Sequence, residues 1–530
     1  MTAWTDHLTI APIVVPMLAG IGILLIGERW RGASMAIGLA STLALVVLSI
    51  MLLDIADGPV VRVYRLGNWP ALFGIVLVLD RLAALMLVLT STLGLAAFIF
   101  SLARWHRAGT HFHPLFQFQL MGLNGAFLTG DLFNLFVFFE VMLAASYGLA
   151  LHGSGTARVR TGLHYLIVNL VASLLFLVGV SAIYGVAGTL NMADLAARMA
   201  AIADEDRALV EAGAAVLAIA FLIKAAMWPV GFWLTGTYAA ASAPAAAILS
   251  ILSKVGVYAV MRVWLLLFGE TAGQSAGFGG VWLTVGGLLT LGFGAIAVLA
   301  TQNLPRLAGA SVLISSGTLL AAIGTGRIEV TGGALFYLAS SVLAIGAFFL
   351  LIELVERGRE IGADVLAVTR EAYGEEEEEE PGEEDEIGVA IPGTIAVLGF
   401  GFMACAVLLA GLPPLSGFLA KFAILAPLFG GGEGGLPPTT WALLVALILS
   451  GLASVVAMLR VGIEIFWTSP AEPPPRVRVI ELAPVVLLLA LCGALTVGAG
   501  PALEYMQATA QALHTPQGYL GGVLAAQGGG

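Results

Sequence analysis

About fourteen stretches of this 530-residue sequence are apolar over a length that can cross a bilayer, which takes roughly 20 residues of helix. In lipid every backbone polar group must be hydrogen-bonded within the protein, so such stretches are predicted to be helices packed against helices. Only 11% of the residues are charged, against about 25% in soluble domains. We therefore predict an all-α polytopic membrane protein. Its segments lie near 8–27, 34–53, 73–101, 114–130, 132–152, 161–186, 209–228, 243–268, 278–300, 307–324, 332–354, 391–412, 438–466 and 481–503.

Lysine occurs only three times, as Lys224, Lys254 and Lys421, and each copy lies within an apolar stretch. The other twenty basic residues are arginines, mostly in loops. Arginine stays protonated in proteins, whereas a desolvated lysine can release its proton. If these lysines had survived by chance, we would expect them in loops or at helix ends. The pattern instead indicates three buried positions that need a cation whose charge can be removed.

The formal net charge of −11 comes from one short tract. Residues 371–386 contain eleven acidic residues, and the rest of the chain balances 23 acidic against 23 basic residues. Such a run is typical of a solvated, disordered loop. The acidic balance therefore gives no indication of a nucleic-acid partner.

The distribution of arginine predicts the orientation of the chain in the membrane. Loops after odd-numbered segments carry twelve arginines, and loops after even-numbered segments carry five. Because basic residues favour the cytoplasmic side, we expect the odd loops to be cytoplasmic. Both termini then lie on the outer face of a bacterial cell (inner) membrane. The first segment, which follows Asp6 and no basic region, does not have the pattern of a cleaved signal peptide.

Two of the apolar stretches are interrupted by proline close to a lysine. The stretch FLIKAAMWPVGFW places Pro229 five residues after Lys224, and AGLPPLSGFLAKF places Pro413 and Pro414 before Lys421. Proline removes a backbone donor and breaks a helix. Unpaired backbone at membrane depth is tolerated only where it is packed in protein or lines a wet cavity. A lysine-bearing broken helix in each half of a chain is typical of an ion pathway, although a proline kink used for packing is the simpler alternative.

Glu140 lies at the centre of the apolar stretch DLFNLFVFFEVMLAASYGL. A carboxylate there costs about 2.5–3.5 kcal/mol on insertion scales, so it should face a partner or water. Lys224 is the natural partner. Their attraction favours both charged forms, whereas burial favours both neutral forms. Opposing effects of this kind would let a small movement transfer a proton. A static buried ion pair is the alternative, but it leaves the other two lysines unexplained.

Other polar residues within the apolar stretches carry weaker signals. Asp80 could pair with Arg81 or Arg262, and its role could be structural or functional. Asp131 stands at a helix start, where an N-cap role is expected. His164 could carry protons because histidine titrates near neutral pH, or it could be a hydrogen-bonded core residue.

Several kinds of chemistry are missing from the sequence. It contains no GxxxxGK[ST], HExxH or CxxC motif, and its two cysteines, Cys405 and Cys492, lie in apolar stretches as core residues. We therefore expect no cofactor, no metal site and no enzymatic activity. Any transport must be driven by ion gradients or by a partner.

With Glu140, Lys224, Lys254 and Lys421 in these positions, the chain resembles the proton-translocating family shared by Mrp-type cation/proton antiporters and the antiporter-like subunits of respiratory complex I. That family has a glutamate on helix five and lysines on broken helix seven, helix eight and broken helix twelve. Within it, AIYGVAGTLNMADL and ATAQALHTPQGYL resemble the D-type branch of the Mrp antiporter subunits. The resemblance covers essentially the whole chain.

The resemblance implies two inverted five-helix repeats. They would occupy 114–270 and 271–470, preceded by three helices in 1–113 and followed by one helix and a tail in 471–530. It also implies exchange of protons for Na+ or K+ inside a hetero-oligomeric complex with other subunits, in contact with membrane lipid.

The resemblance also assigns roles along a mid-membrane path. Glu140 and Lys224 form a switching pair, Lys254 relays the charge, and Lys421 serves the second half-channel. Where relatives often carry a histidine on helix ten, this chain has only Ser311, Ser315 and Ser316. We therefore expect serines and water to carry the relay between Lys254 and Lys421, and Ser311, Ser315, His164 and Asp80 are the accessory candidates.

Two other functions fit the same residues. One is a proton-pumping subunit of a respiratory NADH:quinone oxidoreductase or a hydrogenase-type redox complex. The other is a non-conducting scaffold, which the retained lysines argue against. Neighbouring genes would discriminate an antiporter from a redox complex, because the first has small antiporter subunits and the second has quinone-reductase subunits.

Overall fold

A computed structural model describes residues 4–27, 30–71, 74–105, 108, 111–153, 155–373, 393–430, 437–467 and 477–525, and it describes their side chains except at 4–6, 358–373 and 467. Residues 374–386 of the predicted acidic loop lie outside the described residues. Twenty α-helical segments run through the described ranges. They are α1 Ala11–Ile26, α2 Arg31–Ala56, α3 Arg81–Ser101, α4 Phe112–Leu128, α5 Leu132–Ala150, α6 Thr156–Ala187, α7 Met192–Met199, α8 Asp204–Lys224, α9 Phe232–Ala240, α10 Ala243–Ala259, α11 Leu265–Leu267, α12 Gly280–Ala300, α13 Leu304–Gly324, α14 Ile328–Tyr373, α15 Gly393–Ala410, α16 Ser416–Phe429, α17 Pro438–Trp467, α18 Val479–Val497, α19 Ala499–His514 and α20 Gln517–Ala525.

Eleven helices in the described part of the chain are long and apolar enough to cross a membrane. Two shorter apolar helices, α1 and α16, accompany them. Each of the fourteen predicted segments contains a helix, so the multi-pass helical architecture is confirmed. The count of fourteen crossings and the two inverted repeats stay predictions.

A short β-hairpin replaces the beginning of one predicted helical segment. The strands β1, Arg62–Arg65, and β2, Val76–Leu79, pair antiparallel, so the prediction of helix from residue 73 was wrong. The run IVLVL is rich in β-branched residues, which suit a strand. Asp80 then begins α3, because its extended backbone and its Oδ1, which accepts from the Ala83 amide at 2.9 Å, form an N-cap.

The first helix break separates α8 from α9. Backbone groups at this break form hydrogen bonds with side chains that pack around it. The amide of Trp228 donates to Thr290 Oγ1 at 2.9 Å, and the indole of Trp233 donates to the Ile223 carbonyl at 3.2 Å. The break is therefore held in place by hydrogen bonds within the core. Pro229 lies within it, and Lys224 is the last residue of α8 before it.

The second break separates α15 from α16 and contains Pro413 and Pro414. Gly411 follows the end of α15 with a φ of +74°, a conformation that favours glycine. A Cβ on Gly417 would lie 2.0 Å from the Leu408 carbonyl oxygen, so the first turn of α16 packs directly on the last turn of α15.

The centre of the molecule is formed by α10, α13 and α14, whose membrane-length windows are almost entirely buried. The helices α2, α6, α15 and α18 form the rim and expose most of their apolar residues. Near the hairpin, α19 packs along α14 and α20 packs against α7. The helix that carries Lys254 therefore runs through the core.

Candidate proton pathway

Lys224 occupies the C-terminal end of α8, at the first break. Its Nζ lies 5.0 Å from the centre of the Phe139 ring, a cation–π distance. A Cβ on Gly256 of α10 would lie 2.4 Å from the Ala225 amide nitrogen, so α10 packs directly against the end of α8. The fold thereby holds the break that carries Lys224 against the helix that carries Lys254.

Glu140 projects from the middle of α5 and meets α6. Its Oε1 accepts a hydrogen bond from the hydroxyl of Ser173, a residue that sequence reasoning missed. Among the described residues Glu140 and Lys224 form no ion pair within 4.0 Å. Phe139, the residue before Glu140 on α5, lies beside Lys224 in this arrangement.

Lys254 is fully buried in α10, and α13 supplies its hydrogen-bond acceptors. Its Nζ donates to Ser316 Oγ at 3.1 Å and lies 3.5 Å from the Val312 carbonyl oxygen. No carboxylate pairs with this lysine in the described part of the chain. A buried ammonium without a counter-ion is costly, so its neutral form is accessible in this site.

Hydroxyl groups lie between the helices that carry Lys254 and Lys421. Ser315 donates to Ser341 at 2.9 Å, and the hydroxyls of Ser340 and Ser416 are 2.8 Å apart. A cavity of about 10 Å³ lies among these helices, close to the minimum volume that holds one water. Its polar lining comes from Ser311, Ser315, Tyr337, Ser340, Ser341 and Ser454.

Lys421 projects from α16 back to the end of α15. Its Nζ donates to the Ala410 carbonyl oxygen at 2.7 Å. A Cβ on Gly411 would lie 2.7 Å from Lys421 Cδ, and one on Gly451 would lie 3.4 Å from its Nζ. The lysine thus fills a space that two glycines leave open and bonds a carbonyl freed by the break.

Three weaker candidates take different positions. Asp80 pairs with Arg262, and Arg81 pairs with Asp57 instead. Asp131 caps α5 by accepting from the Asn134 amide at 2.9 Å, as expected. His164 lies on the exposed face of α6, so the structure does not bring it together with the buried lysines.

Sequence reasoning missed the cross-helix serines. Ser340 and Ser341 stand as a polar pair within the apolar run FYLASSVLAIG, and Ser416 follows the double proline. Those positions were the available signal, because isolated hydroxyls in a membrane helix often bond across to another helix. Within the described ranges, no group of three or more histidine, cysteine or acidic residues could hold a metal ion. Cys405 and Cys492 are free and buried.

Comparisons with known proteins agree with this architecture. The profile of the family described as NADH:quinone oxidoreductase/Mrp antiporter, TM, matches residues 129–452. A protein of Rhizobium meliloti (strain 1021), named as a probable D subunit of a K(+)/H(+) antiporter, is 59% identical, over 99% of each chain. The D subunit of the Na(+)/H(+) antiporter of Alkalihalophilus pseudofirmus (strain ATCC BAA-2126 / JCM 17055 / OF4) is 32% identical, over 98% of this chain and 99% of that protein.

A solved structure shows the same fold. A chain of the Mrp complex from Dietzia sp. DQ12-45-1b is similar with a TM-score of 0.80 and 26% sequence identity, over 99% of this chain and all of that one. Broken helices that carry lysines, in a chain of this fold, define an antiporter-like membrane protein. The chain belongs to the NADH:quinone oxidoreductase/Mrp antiporter family. Both relatives are named as D subunits of antiporters, so the predicted resemblance is confirmed.

Proposed function

We propose that this chain is the proton-conducting D subunit of a multi-subunit monovalent cation/proton antiporter. The observation that carries the proposal is the placement of the three lysines of the chain: Lys254 and Lys421 are buried and Lys224 is half-buried, and Lys224 and Lys421 lie beside helix breaks. Each lysine has neutral acceptors or an aromatic ring nearby, so its charge can be gained and lost. Other subunits of a hetero-oligomeric antiporter, protons and the exchanged cation are its partners.

The proton path runs along the middle of the membrane in this proposal. Glu140 and Lys224 form the switching pair, Lys254 relays the charge, and Lys421 serves the second half-channel. The hydroxyls between α13, α14 and α16 support the middle part of the path, because Ser316 bonds Lys254 and Ser416 begins the helix of Lys421. Ser311 and Ser315 are accessory members, whereas the outward position of His164 argues against a role for that residue.

K+ is the first candidate for the exchanged cation. The relative at 59% identity is named for a K(+)/H(+) antiporter, and that at 32% is named for Na(+). We place the chain in the bacterial inner membrane with both termini outside. Arg104, Arg158 and Arg357 support this orientation because they line one cavity at one end of the molecule, as expected for cytoplasmic loops.

The experiment is cation-driven proton flux in vesicles that contain the whole complex. A K+ gradient should drive opposite proton movement, and Na+ should drive less. The matched comparison is the complex with Lys254→Ala, which should assemble normally and lose the exchange. Equal flux with and without Lys254 would overturn the proposed path.

A further inference from the structure

A cavity of about 190 Å³ lies at the end of the molecule that carries the β-hairpin and the C-terminal helices. We call this end the hairpin end. Loop residues after α2, the beginning of α3, the end of the α10 helix and the segment joining α19 to α20 surround the cavity. Its polar lining comes from Asp80, Arg81, Arg262, Thr515 and Tyr519.

The ion pair of Asp80 and Arg262 forms part of the wall of this cavity. The two guanidinium Nη atoms donate to the two carboxylate oxygens at 2.6 and 2.7 Å, and the side chains are 15% and 5% exposed. The rings of Tyr258 and Tyr519 lie 5.6 and 5.2 Å from the guanidinium carbon. The Tyr519 hydroxyl is buried without a hydrogen-bond partner among the described residues. The charge of Arg262 is thus held at one point of the cavity wall.

Helix α10 and the π-helical turn that continues it connect this ion pair to the buried lysine. Lys254, Tyr258 and Arg262 follow one another at four-residue spacing, so each lies next to the following one on the helix surface. The Arg262 Nε donates to the Tyr258 hydroxyl at 3.3 Å. Eight residues separate Lys254 from Arg262, about 12 Å along a helix axis at 1.5 Å per residue. The residues Val260–Trp264 form a π-helical turn at this place, a feature frequent at functional sites.

The same helix reaches a second cavity at its other end. This cavity has a volume of about 280 Å³ and is lined by Arg104, Glu353, Ser242 and Ala246 among others. The hydroxyl of Ser242 is buried there and finds no partner within the described ranges. Ala246 is four residues before Ser250, which is four before Lys254. Polar cavities therefore lie at both ends of the helix that holds Lys254 in the middle of the core.

We propose that the cavity at the hairpin end is a port through which Lys254 exchanges protons with the solution on that face, and that Arg262, held by Asp80, is its gate. This inference rests on the proposed proton path. A guanidinium keeps its charge, so it repels cations that enter the port, as arginines do in other membrane pores. Separation of Arg262 from Asp80, at the π-helical turn, opens the port. A purely structural clamp between α3 and α10 is the alternative.

The test measures passive decay of an imposed pH gradient in vesicles that contain the whole complex, without a cation gradient. The variant pair Asp80→Asn with Arg262→Gln removes both charges and keeps hydrogen-bonding groups. The proton leak should rise by about tenfold or more, on the scale set by removing a nearby unit charge from a partly buried site. Arg262→Lys retains the ion pair, but lysine can release its proton, so the complex with this variant should leak to an intermediate extent. It replaces the double variant if the complex with the neutral pair does not assemble.

A neighbouring ion pair provides the matched control. Arg198 bonds Asp194 at 2.8 Å on α7, which packs against α20 at the same end of the molecule, but neither residue lines the cavity. Asp194→Asn with Arg198→Gln should therefore leave the pH gradient as stable as in the unmodified complex. Adding Lys254→Ala to the leaking variants should stop the leak.

Three results separate the possibilities. If assembled complexes with Arg262 variants retain the pH gradient as well as the wild type does, Arg262 is not a gate and its ion pair is a structural clamp. A leak that persists after Lys254→Ala overturns the assignment of the port to Lys254. Full cation-driven exchange by Lys254→Ala alone would instead show that the proposed function of Lys254 is wrong, which is a separate failure.

Discussion

The ammonium of Lys421 donates a 2.7 Å hydrogen bond to the carbonyl of Ala410, the last residue of α15 before the second break. The C-terminal end of a helix carries partial negative charge, which favours a nearby cation. Lys224 also lies at a helix end, but on the helix that ends there, since it is the last residue of α8. At each break a lysine thus lies at or beside the C-terminal end of a half-helix. The partial negative charge at the helix end stabilises the protonated lysine, whereas the apolar core around it favours the neutral lysine.

The contact of Lys421 with Gly411 leads to a first prediction. Gly411→Ala should reduce cation-driven proton flux strongly, because the new Cβ would lie 2.7 Å from Lys421 Cδ and 3.0 Å from its Nζ. Gly411 also has a φ of +74°, which is strained for alanine by about 1–2 kcal/mol. Flux should be measured in vesicles after the amount of assembled complex has been equalised.

Gly326 offers a control that separates strain from contact. Its φ is +67°, and a Cβ there would meet nothing within 4 Å. Gly326→Ala should therefore show the backbone strain alone and keep its transport. Equal losses in both variants would mean that Lys421 does not need the space beside Gly411.

Glu140→Gln tests the charge of the switching pair. Glutamine can still accept the hydrogen bond of Ser173, but it cannot act as an anion on Lys224. We expect loss of at least about tenfold in exchange, equivalent to about 1.4 kcal/mol, and partial activity for Glu140→Asp. Ser173→Ala keeps the charge and should lose less than Gln. If the glutamine variant retains most of its activity, Glu140 is a packing residue.

Ser316→Ala tests the middle of the path. It removes the 3.1 Å acceptor of Lys254 and leaves only the Val312 carbonyl at 3.5 Å. Hydrogen bonds to charged groups contribute about 1.5–3 kcal/mol, so we expect exchange to slow by tenfold or more. Ser101→Ala is the matched control, because that buried hydroxyl bonds only the Phe98 carbonyl of its own helix. An equal effect of both substitutions would show a loss of packing rather than of relay.

Much of the fold could be predicted because the membrane restricts the possible structures. Apolar length located the helices, and proline beside lysine located both breaks. The cap at Asp131 followed from residue type and position. The start of α3 at Arg81 did not follow, because the short run IVLVL suits a strand or a helix equally by hydropathy. The run is a strand because residues Val76–Leu79 pair with Arg62–Arg65.

The site was less accessible to sequence reasoning for a different reason. The helices α10, α13 and α14 are buried on nearly all sides, so no amphipathic pattern tells which face a residue occupies. The pairing of Ser340 with Ser416 therefore could not be predicted. Conversely, His164 looks internal by its apolar neighbours but lies on the exposed face of α6. Only the packing of helices fixes these directions.

The most direct test of the account is the exchange of lysine for arginine at Lys224. The arginine variant keeps a cation beside Phe139 and at the end of α8, but it cannot release its proton. In vesicles that contain the assembled complex, K+-driven proton flux should be lost in Lys224→Arg as fully as in Lys224→Ala. Near-normal flux in the arginine variant would contradict the account, because a permanent charge would then serve where proton release is claimed.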